Sequence, residues 1–211
     1  MRLGPEEWGW QMKGSLYKMR CDLCDEKKCN KGEPCIRKES AALYSEEDLK
    51  FMRAAGGVEA DFYGDMNRMQ EIVLFAKRMG YKKIGLAFCV GLSSEAKKFS
   101  EFLSQYFEIS TVCCKTCGIE KSELGLPTSD KVGAISCNPA EQARTLEDDG
   151  TELNLMLGLC VGHDAMFIKH SHTYVIPVAV KDRVLGHNPL AAVYCKAVFG
   201  KMMKTELDKL A

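Results

Sequence analysis

Four cysteines lie close together near the start of the sequence, in a polar segment without apolar periodicity. They are Cys21, Cys24, Cys29 and Cys35, spaced C-x2-C-x4-C-x5-C. Arcs of this length can bring four thiolates to a common centre, and tetrahedral sulfur ligation suits both zinc and iron–sulfur clusters. The spacing therefore predicts a metal centre that is held by these four sulfurs.

The spacing also bears on which metal this loop would hold. Structural zinc sites usually pair two C-x2-C hooks across a longer stretch. Here one hook is followed by two single cysteines along a continuous loop, and Pro34 precedes the last of them. Compact runs of this kind hold [4Fe–4S] clusters. We therefore expect a [4Fe–4S] cluster, with zinc as the alternative; four unligated thiols would be open to oxidation.

A second group of cysteines falls at the ends of the predicted strands. The group consists of Cys89, Cys113, Cys114, Cys137 and Cys160. The carboxyl ends of parallel strands form one edge, and open α/β sheets bind their ligands there. We expect these thiols to face one cavity, where they would bind a second iron–sulfur cluster or act as reactive thiols. The alternative is that they are small apolar side chains of the core.

Two of these turns share the sequence Cys-Val-Gly, at 89–91 and 160–162. The glycine permits a tight turn, and a thiolate at a helix N-terminus is favoured by the helix dipole. Cys160 is therefore a candidate nucleophile or ligand, with His163 as base or ligand and Asp164 as the group that orients it. Lys181 begins a Lys-Asp-Arg run after the last predicted strand and is expected at the rim of the same site.

The elements that would position these residues alternate along the chain. Short apolar runs predict strands at 83–89, 109–113, 132–136, 153–159 and 175–180. Helical periodicity and capping residues predict helices at 46–55, 66–79, 94–107, 139–147, 163–170 and from 189 toward 210. This alternation predicts an α/β fold with a doubly wound, mostly parallel sheet of about five strands, the last at an edge because of Pro177.

The domain organisation follows from the same pattern. Residues 1–40 are expected to be a Cys-rich metal-binding appendage, and residues 41–211 an α/β domain with a helical lead-in over 41–80 and the sheet from 82. The first helix is expected to stop at Gly56-Gly57, because glycine disfavours a helix interior.

Composition narrows the class of protein. The 211 residues are 46% hydrophobic and 27% charged, and 29 basic residues balance 29 acidic ones. Such a balance gives no attraction to nucleic acid or to an anionic membrane. The first residues form no apolar signal segment, and no run approaches about 18 apolar residues. We therefore expect a cytoplasmic protein, in which the eleven cysteines stay reduced.

Several motifs resemble an uncharacterised, Cys-rich family of small proteins from anaerobic bacteria and archaea that is labelled only as predicted metal-binding. The similar segments are 21–35, FCVGL (88–92), CCKTCG (113–118), CNPAEQA (137–143), GLCVGHD (158–164) and VKDRVLGHNP (180–189). The resemblance implies metal binding in an anaerobic setting, where oxygen-sensitive clusters survive. It implies no particular reaction.

Three functions agree with these residues. The first is an iron–sulfur protein with redox or sulfur-transfer chemistry at the carboxyl edge of the sheet, acting on a small-molecule substrate or with a redox partner protein. The second is a zinc-stabilised interaction module without catalysis. The third is a cofactor-free thiol enzyme that uses Cys160 with His163.

Overall fold

The computed structural model describes residues 21–33 and 40–209, and the chain divides into two compact units, Met1–Ser45 and Glu46–Ala211. The described residues of the smaller unit form short 3-10 turns at Cys21–Leu23, Lys28–Lys31 and Ser40–Leu43. Cys35 of the predicted metal loop lies outside the described residues. The larger unit carries the sheet, and the rest of this subsection concerns it alone.

Four parallel strands form the sheet: β1 (Lys83–Phe88), β2 (Glu108–Cys113), β3 (Leu153–Leu157) and β4 (Val175–Ala179). Their order is β2-β1-β3-β4, and every neighbouring pair is parallel. The predicted α/β class with a parallel sheet is confirmed. Each predicted strand except 132–136 has its counterpart here.

Helices cover both faces of the sheet. On one face lie α1 (Glu46–Phe62), α2 (Arg68–Met79) and α3 (Ser93–Leu103); on the other lie α4 (Pro139–Asp148) and α5 (His163–His170). Side chains alternate along each strand, so Leu86 joins the first apolar cluster while Ala87 and Met156 join the second. The doubly wound arrangement follows from this two-sided burial.

Local sequence explains where the helices flanking the sheet begin. The Asn138 side chain accepts a hydrogen bond from the Glu141 amide at 3.2 Å, and Pro139 occupies the first turn, which confirms the predicted start of α4. Asn67 caps α2 in the same way and forms a capping box with Gln70. The start of α4 is important because it fixes the position of Cys137.

The predicted strand at 132–136 does not form. Ile135 makes an isolated antiparallel bridge with Glu120, and Val132 makes another with Ser129, so the segment folds back within its own loop. The run contains Gly133, and 52% of Val132 is exposed. Too little apolar surface is available to bury on both faces of a sheet, so this segment adds no fifth strand to the four that the described residues form.

The prediction that the first helix stops at Gly56-Gly57 is also wrong. Helix α1 continues through both glycines to Phe62, because Ala54 and Val58 on either side of them are buried in the core. Burial of such apolar groups outweighs the roughly 1 kcal/mol that a glycine costs in a helix interior.

The predicted C-terminal helix is divided in two. Helix α6 (Ala191–Tyr194) and helix α7 (Lys196–Met203) meet at Cys195, whose backbone is extended at φ −91° and ψ 107°. Strand β3 likewise ends at Leu157, two residues earlier than predicted, because Gly158 adopts φ +61°. That positive φ turns the chain out of the sheet toward Cys160.

Strand β4 is an edge strand, as Pro177 predicts. The Arg68 side chain donates a hydrogen bond from Nε to the Pro177 carbonyl oxygen at 2.7 Å. Among residues 21–33 and 40–209, no helix is long and apolar enough to cross a membrane.

Candidate metal centre at the carboxyl edge of the sheet

The candidate site lies where the strand order reverses. The chain leaves β1 for β2 on one side, and it leaves β3 for β4 on the other, so a crevice opens between the carboxyl ends of β1 and β3. Open parallel sheets bind their ligands at this point. Cys89 follows β1 directly, and Cys160 lies three residues beyond β3.

Seven side chains meet around a narrow cavity in this crevice, which is too small to hold a water molecule. The lining residues are Cys89, Cys114, Cys137, Gln142, Leu159, Cys160 and His163. Four of the five predicted cysteines therefore meet. Cys89, Cys114 and Cys160 follow strands of the sheet, as expected from a shared carboxyl edge, whereas Cys137 precedes α4 because the predicted strand before it does not form.

Three of these residues are close enough to hold one ion. The sulfurs of Cys137 and Cys160 and one ring nitrogen of His163 all lie within 4.8 Å of one another. Within the described part of the chain, this is the one group of three such ligands. All three side chains are half-buried, so the group is accessible to solvent while partly shielded from it.

A tight turn delivers two of the three ligands. The amides of His163 and Asp164 donate to the carbonyl oxygen of Cys160 at 2.9 and 3.1 Å, and Gly162 takes φ +84°. Asp164 Oδ1 accepts from the amides of Gly162 and Ala165 at 2.9 and 2.8 Å. The Asp164 carboxylate thus holds the turn that carries His163.

Cys137 arrives from the loop before α4 and contacts Cys114, which follows β2. Their sulfurs are 3.7 Å apart and share a hydrogen bond. This bond lowers the pKa of the Cys137 thiol to about 5, and the nearby Lys115 and His163 act in the same direction against the effect of burial. The shared bond and burial raise the pKa of Cys114. Cys137 is therefore the thiolate of the pair at neutral pH.

Two basic side chains lie close to cysteines of the cavity. Arg183 donates from Nη2 to the Cys160 sulfur at 3.1 Å. The Lys181 ammonium and the Cys89 sulfur both lie within 4.0 Å of the point where a Cβ on Gly91 would sit. Asp182 lies between the two basic residues in sequence, but its Oδ1 accepts from backbone amides at 184 and 185.

Two buried polar atoms at this site have no hydrogen-bond partner within the described residues. One is His163 Nδ1 and the other is Gln142 Oε1. Gln142 is fully buried, and its Nε2 donates to the carbonyl oxygens of Phe88 and Val112 at 3.2 and 3.0 Å. Buried polar groups in native proteins usually bond to protein atoms, ordered water or an ion, so these two atoms are open to a partner of that kind.

The remaining predicted residues lie apart from the three-ligand group. Cys113 does not line the cavity; its sulfur accepts from the Lys115 amide at 3.5 Å. Cys89 and Cys114 line it without belonging to the group. In the smaller unit Cys21, Cys24 and Cys29 are exposed, and since Cys35 lies outside the described residues, that four-cysteine centre stays a prediction.

Sequence reasoning missed the roles of Gln142 and Lys115. Gln142 carries a recognisable signal, because it is a polar residue on the apolar face of α4 beside Ala143 and Leu146. No feature of the sequence identifies Lys115. Its ammonium donates a hydrogen bond to the Ile135 carbonyl oxygen at 2.6 Å, and only the folding of this loop brings it near Cys137.

Comparisons with known proteins identify relatives without naming a function. Residues 26–178 match the family described as "Protein of unknown function (DUF1847)". The chain is 40% identical over 191 residues to "Uncharacterized protein MJ0455" of Methanocaldococcus jannaschii, covering 88% of this chain and 99% of that protein. No solved structure matches.

Proposed function

This chain belongs to the DUF1847 family of proteins of unknown function, and we propose that it is a metal-binding protein with its main centre at the carboxyl edge of the sheet. Cys137, Cys160 and His163 are the proposed ligands. The observation that carries this proposal is the convergence of their ligand atoms within 4.8 Å, from two separate loops.

The spacing of the ligands supports a single ion at this edge. Two sulfurs that bind one tetrahedral zinc at about 2.3 Å lie about 3.8 Å apart. The cysteines of a [4Fe–4S] cluster bind different irons, so the iron–iron separation is added to the distance between their sulfurs. Ligand atoms within 4.8 Å of one another favour one thiophilic ion. We therefore propose zinc here, in place of a second cluster.

The protonation state and the unpaired nitrogen fit such an ion. Metal binding requires deprotonated thiols, and the lowered pKa of Cys137 supplies one thiolate at neutral pH. The buried Nδ1 of His163 lacks a partner among the described residues. A ligating histidine binds the metal through one ring nitrogen and makes a hydrogen bond with the other. An ion at this site would therefore supply one of the two partners that the His163 ring needs.

The N-terminal loop is the proposed second centre. Cys21, Cys24, Cys29 and Cys35 would hold a [4Fe–4S] cluster, with zinc as the alternative. The sequence predicts redox or sulfur-transfer chemistry at the carboxyl edge of the sheet. Zinc at that edge does not change oxidation state, so redox chemistry would instead belong to a cluster in this loop. Its partner would be a small molecule or a redox protein.

A metal-free thiol enzyme is the second candidate, and the contact between Cys114 and Cys137 favours it. A thiol with a pKa of about 5 is a thiolate at neutral pH and can attack an electrophile. In this version Cys137, rather than Cys160 with His163, is the nucleophile. The metal content of the protein would then not depend on the cysteines and His163 at the sheet edge.

Metal analysis of protein purified without oxygen separates these candidates. Iron, zinc and acid-labile sulfide are measured in the wild type, in Cys160→Ser and in Cys195→Ser, which removes an exposed cysteine far along the sequence from the site. We expect Cys160→Ser to lose one zinc and to retain iron and sulfide, whereas Cys195→Ser keeps the wild-type content. Equal zinc in all three proteins would refute the proposed centre.

A further inference from the structure

We propose that Cys114 and Cys137 form a reversible disulfide when the protein meets a peroxide, and that this disulfide expels the ion from the sheet edge. The inference rests on the proposed metal centre and adds the regulation of that same site. Cys137 links the two, because it is a proposed metal ligand and also one of the two thiols that oxidation would join.

The two thiols already touch in the reduced protein. Their sulfurs lie 3.7 Å apart and share a hydrogen bond, and the cavity beside them is too narrow for a water molecule to separate them. Among residues 21–33 and 40–209, no other two thiols share a hydrogen bond; the Cys160 sulfur accepts from Arg183 instead. A disulfide requires the sulfurs to approach to about 2.05 Å, which is a short further movement.

The backbone places the two cysteines on adjacent segments. The Asn138 amide donates to the Cys114 carbonyl oxygen at 2.9 Å. A disulfide spans about 4.4–6.8 Å between Cα atoms, and backbones joined by a hydrogen bond lie at such a separation. Cys137 belongs to no strand, so its movement toward Cys114 would break no hydrogen bond between strands of the sheet.

Exposure sets the order of the two chemical steps. Cys137 is half-buried, whereas only 2% of Cys114 is exposed, so a peroxide meets Cys137 first. The Cys137 thiolate attacks the O–O bond of hydrogen peroxide, becomes a sulfenic acid and releases hydroxide. The Cys114 thiol then attacks the sulfenic sulfur, forms the disulfide and releases water. Counted from two thiols, one hydrogen peroxide yields one disulfide and two waters, and the thiols supply both electrons.

The disulfide would remove one of the three proposed ligands. Metal binding by cysteine needs the thiolate, which Cys137 no longer has once it is joined to Cys114. Cys114 lines the cavity without belonging to the ligand group, so it stays a thiol while the ion is bound. Oxidation would therefore leave Cys160 and His163 alone with the ion and release it. A thiol reductant would restore the site by thiol–disulfide exchange.

Treatment of the zinc-loaded protein with hydrogen peroxide, followed by dithiothreitol, tests the inference. Peptide mass spectrometry locates the disulfide, and a chromophoric chelator measures zinc release and rebinding. The proteins are the wild type, Cys114→Ser and Cys113→Ser, a control that changes the neighbouring cysteine outside the cavity lining. Cys160→Ser, which lacks a proposed ligand, shows how much of the released zinc comes from elsewhere in the chain.

We expect the wild type and Cys113→Ser to form the 114–137 disulfide, to release the zinc of the sheet edge and to bind it again after reduction. Cys114→Ser should bind the same amount of zinc before oxidation. Its Cys137 lacks a second thiol and should proceed to sulfinic acid, which dithiothreitol does not reverse, so the zinc should not return.

The possible failures separate the two proposals. Zinc content that is equal in the wild type and in Cys160→Ser overturns the metal centre and its regulation together. Zinc that is released without a 114–137 disulfide, or with Cys137 joined to another cysteine, overturns the switch and leaves the centre standing. Loss of zinc from untreated Cys114→Ser, or full rebinding in oxidised Cys114→Ser after reduction, contradicts the role given to Cys114.

Discussion

The sulfurs of Cys114 and Cys137 lie 3.7 Å apart, although 23 positions separate them in the sequence. One follows β2 and the other precedes α4, so the loop between them must fold back before the contact can form. The Val90 amide donates to the Cys114 sulfur at 3.3 Å, and this bond ties the pair to the end of β1. Three separate segments thus fix the geometry of a single thiolate.

Alkylation of the metal-free protein should show that thiolate directly. Because the pKa of Cys137 is lowered to about 5, it stays ionised as the pH falls from 8 to 6 and loses half its reactivity near pH 5. The rate is followed by mass spectrometry of the labelled peptide. Cys114→Ala removes the stabilising hydrogen bond and should shift the profile to higher pH. A wild-type profile like that of free cysteine, with a pKa near 8.5, would contradict this expectation.

Loss of the imidazole ligand should weaken metal binding selectively. We expect His163→Ala to lower zinc affinity by more than about 100-fold, since even an outer-shell change costs about 10–100-fold. His170→Ala, at the other end of α5, is the matched control and should bind as the wild type does. Competition with a chromophoric chelator measures both affinities. Equal affinities would remove His163 from the ligand set.

Replacement of Gly158 should destabilise the fold more than replacement of a glycine in open space. Gly158 has φ +61°, and a Cβ at this position would collide with the buried side chain of Leu92. We expect Gly158→Ala to lower the free energy of unfolding by about 2 kcal/mol or more. Gly133→Ala is the control, because nothing lies within 4 Å of its added Cβ. Denaturant unfolding monitored by circular dichroism compares them, and similar losses would refute the argument.

Acid should weaken a charge cluster at the amino-terminal end of β1. Hydrogen bonds from Ser110 and Lys83 lower the pKa of Asp149 in the folded protein. As pH falls, the unfolded chain binds this proton first, so the stabilisation is complete above about pH 4 and is lost as pH falls through the folded value. Asp149→Asn should therefore be less stable than the wild type at pH 7, and the difference should shrink toward pH 2.

Unfolding curves at several pH values test whether the stability difference between Asp149→Asn and the wild type shrinks as the pH falls. Asp148→Asn, which changes the neighbouring exposed carboxylate paired with Arg144 at 3.7 Å, is the control. A stability difference between Asp149→Asn and the wild type that stays constant, or grows as pH falls, would show that the proton linkage is not the cause.

Much of the sheet could be predicted from the sequence, because buried parallel strands are continuous apolar runs between turn residues. The apolar run at 132–136 has the same sequence pattern as the strands. It differs from them only in the folded protein, where it does not pair with the sheet. Gly56-Gly57 would stop an isolated helix, yet the packing of α1 carries the helix past them. Local propensity is a weak guide wherever tertiary burial decides.

Part of the candidate site could also be predicted from the sequence. Shared strand ends predict that Cys89, Cys114 and Cys160 meet, and they do. Cys137 arrives without a strand, since the cap at Asn138 and the start of α4 position it instead. Which thiols come within ligand distance depends on loop geometry that residue spacing does not contain.

The contact between Arg68 and Pro177 has a consequence for how the protein tolerates high concentration. Among the described residues no strand pairs with the outer margin of β4, and such margins are templates for strand addition and fibril growth. Pro177 offers an incoming chain no N–H, and its carbonyl oxygen already accepts from the guanidinium. A strand from another chain therefore cannot form a continuous series of backbone hydrogen bonds along β4, because the series is interrupted at Pro177. This interruption protects the margin against polymerisation.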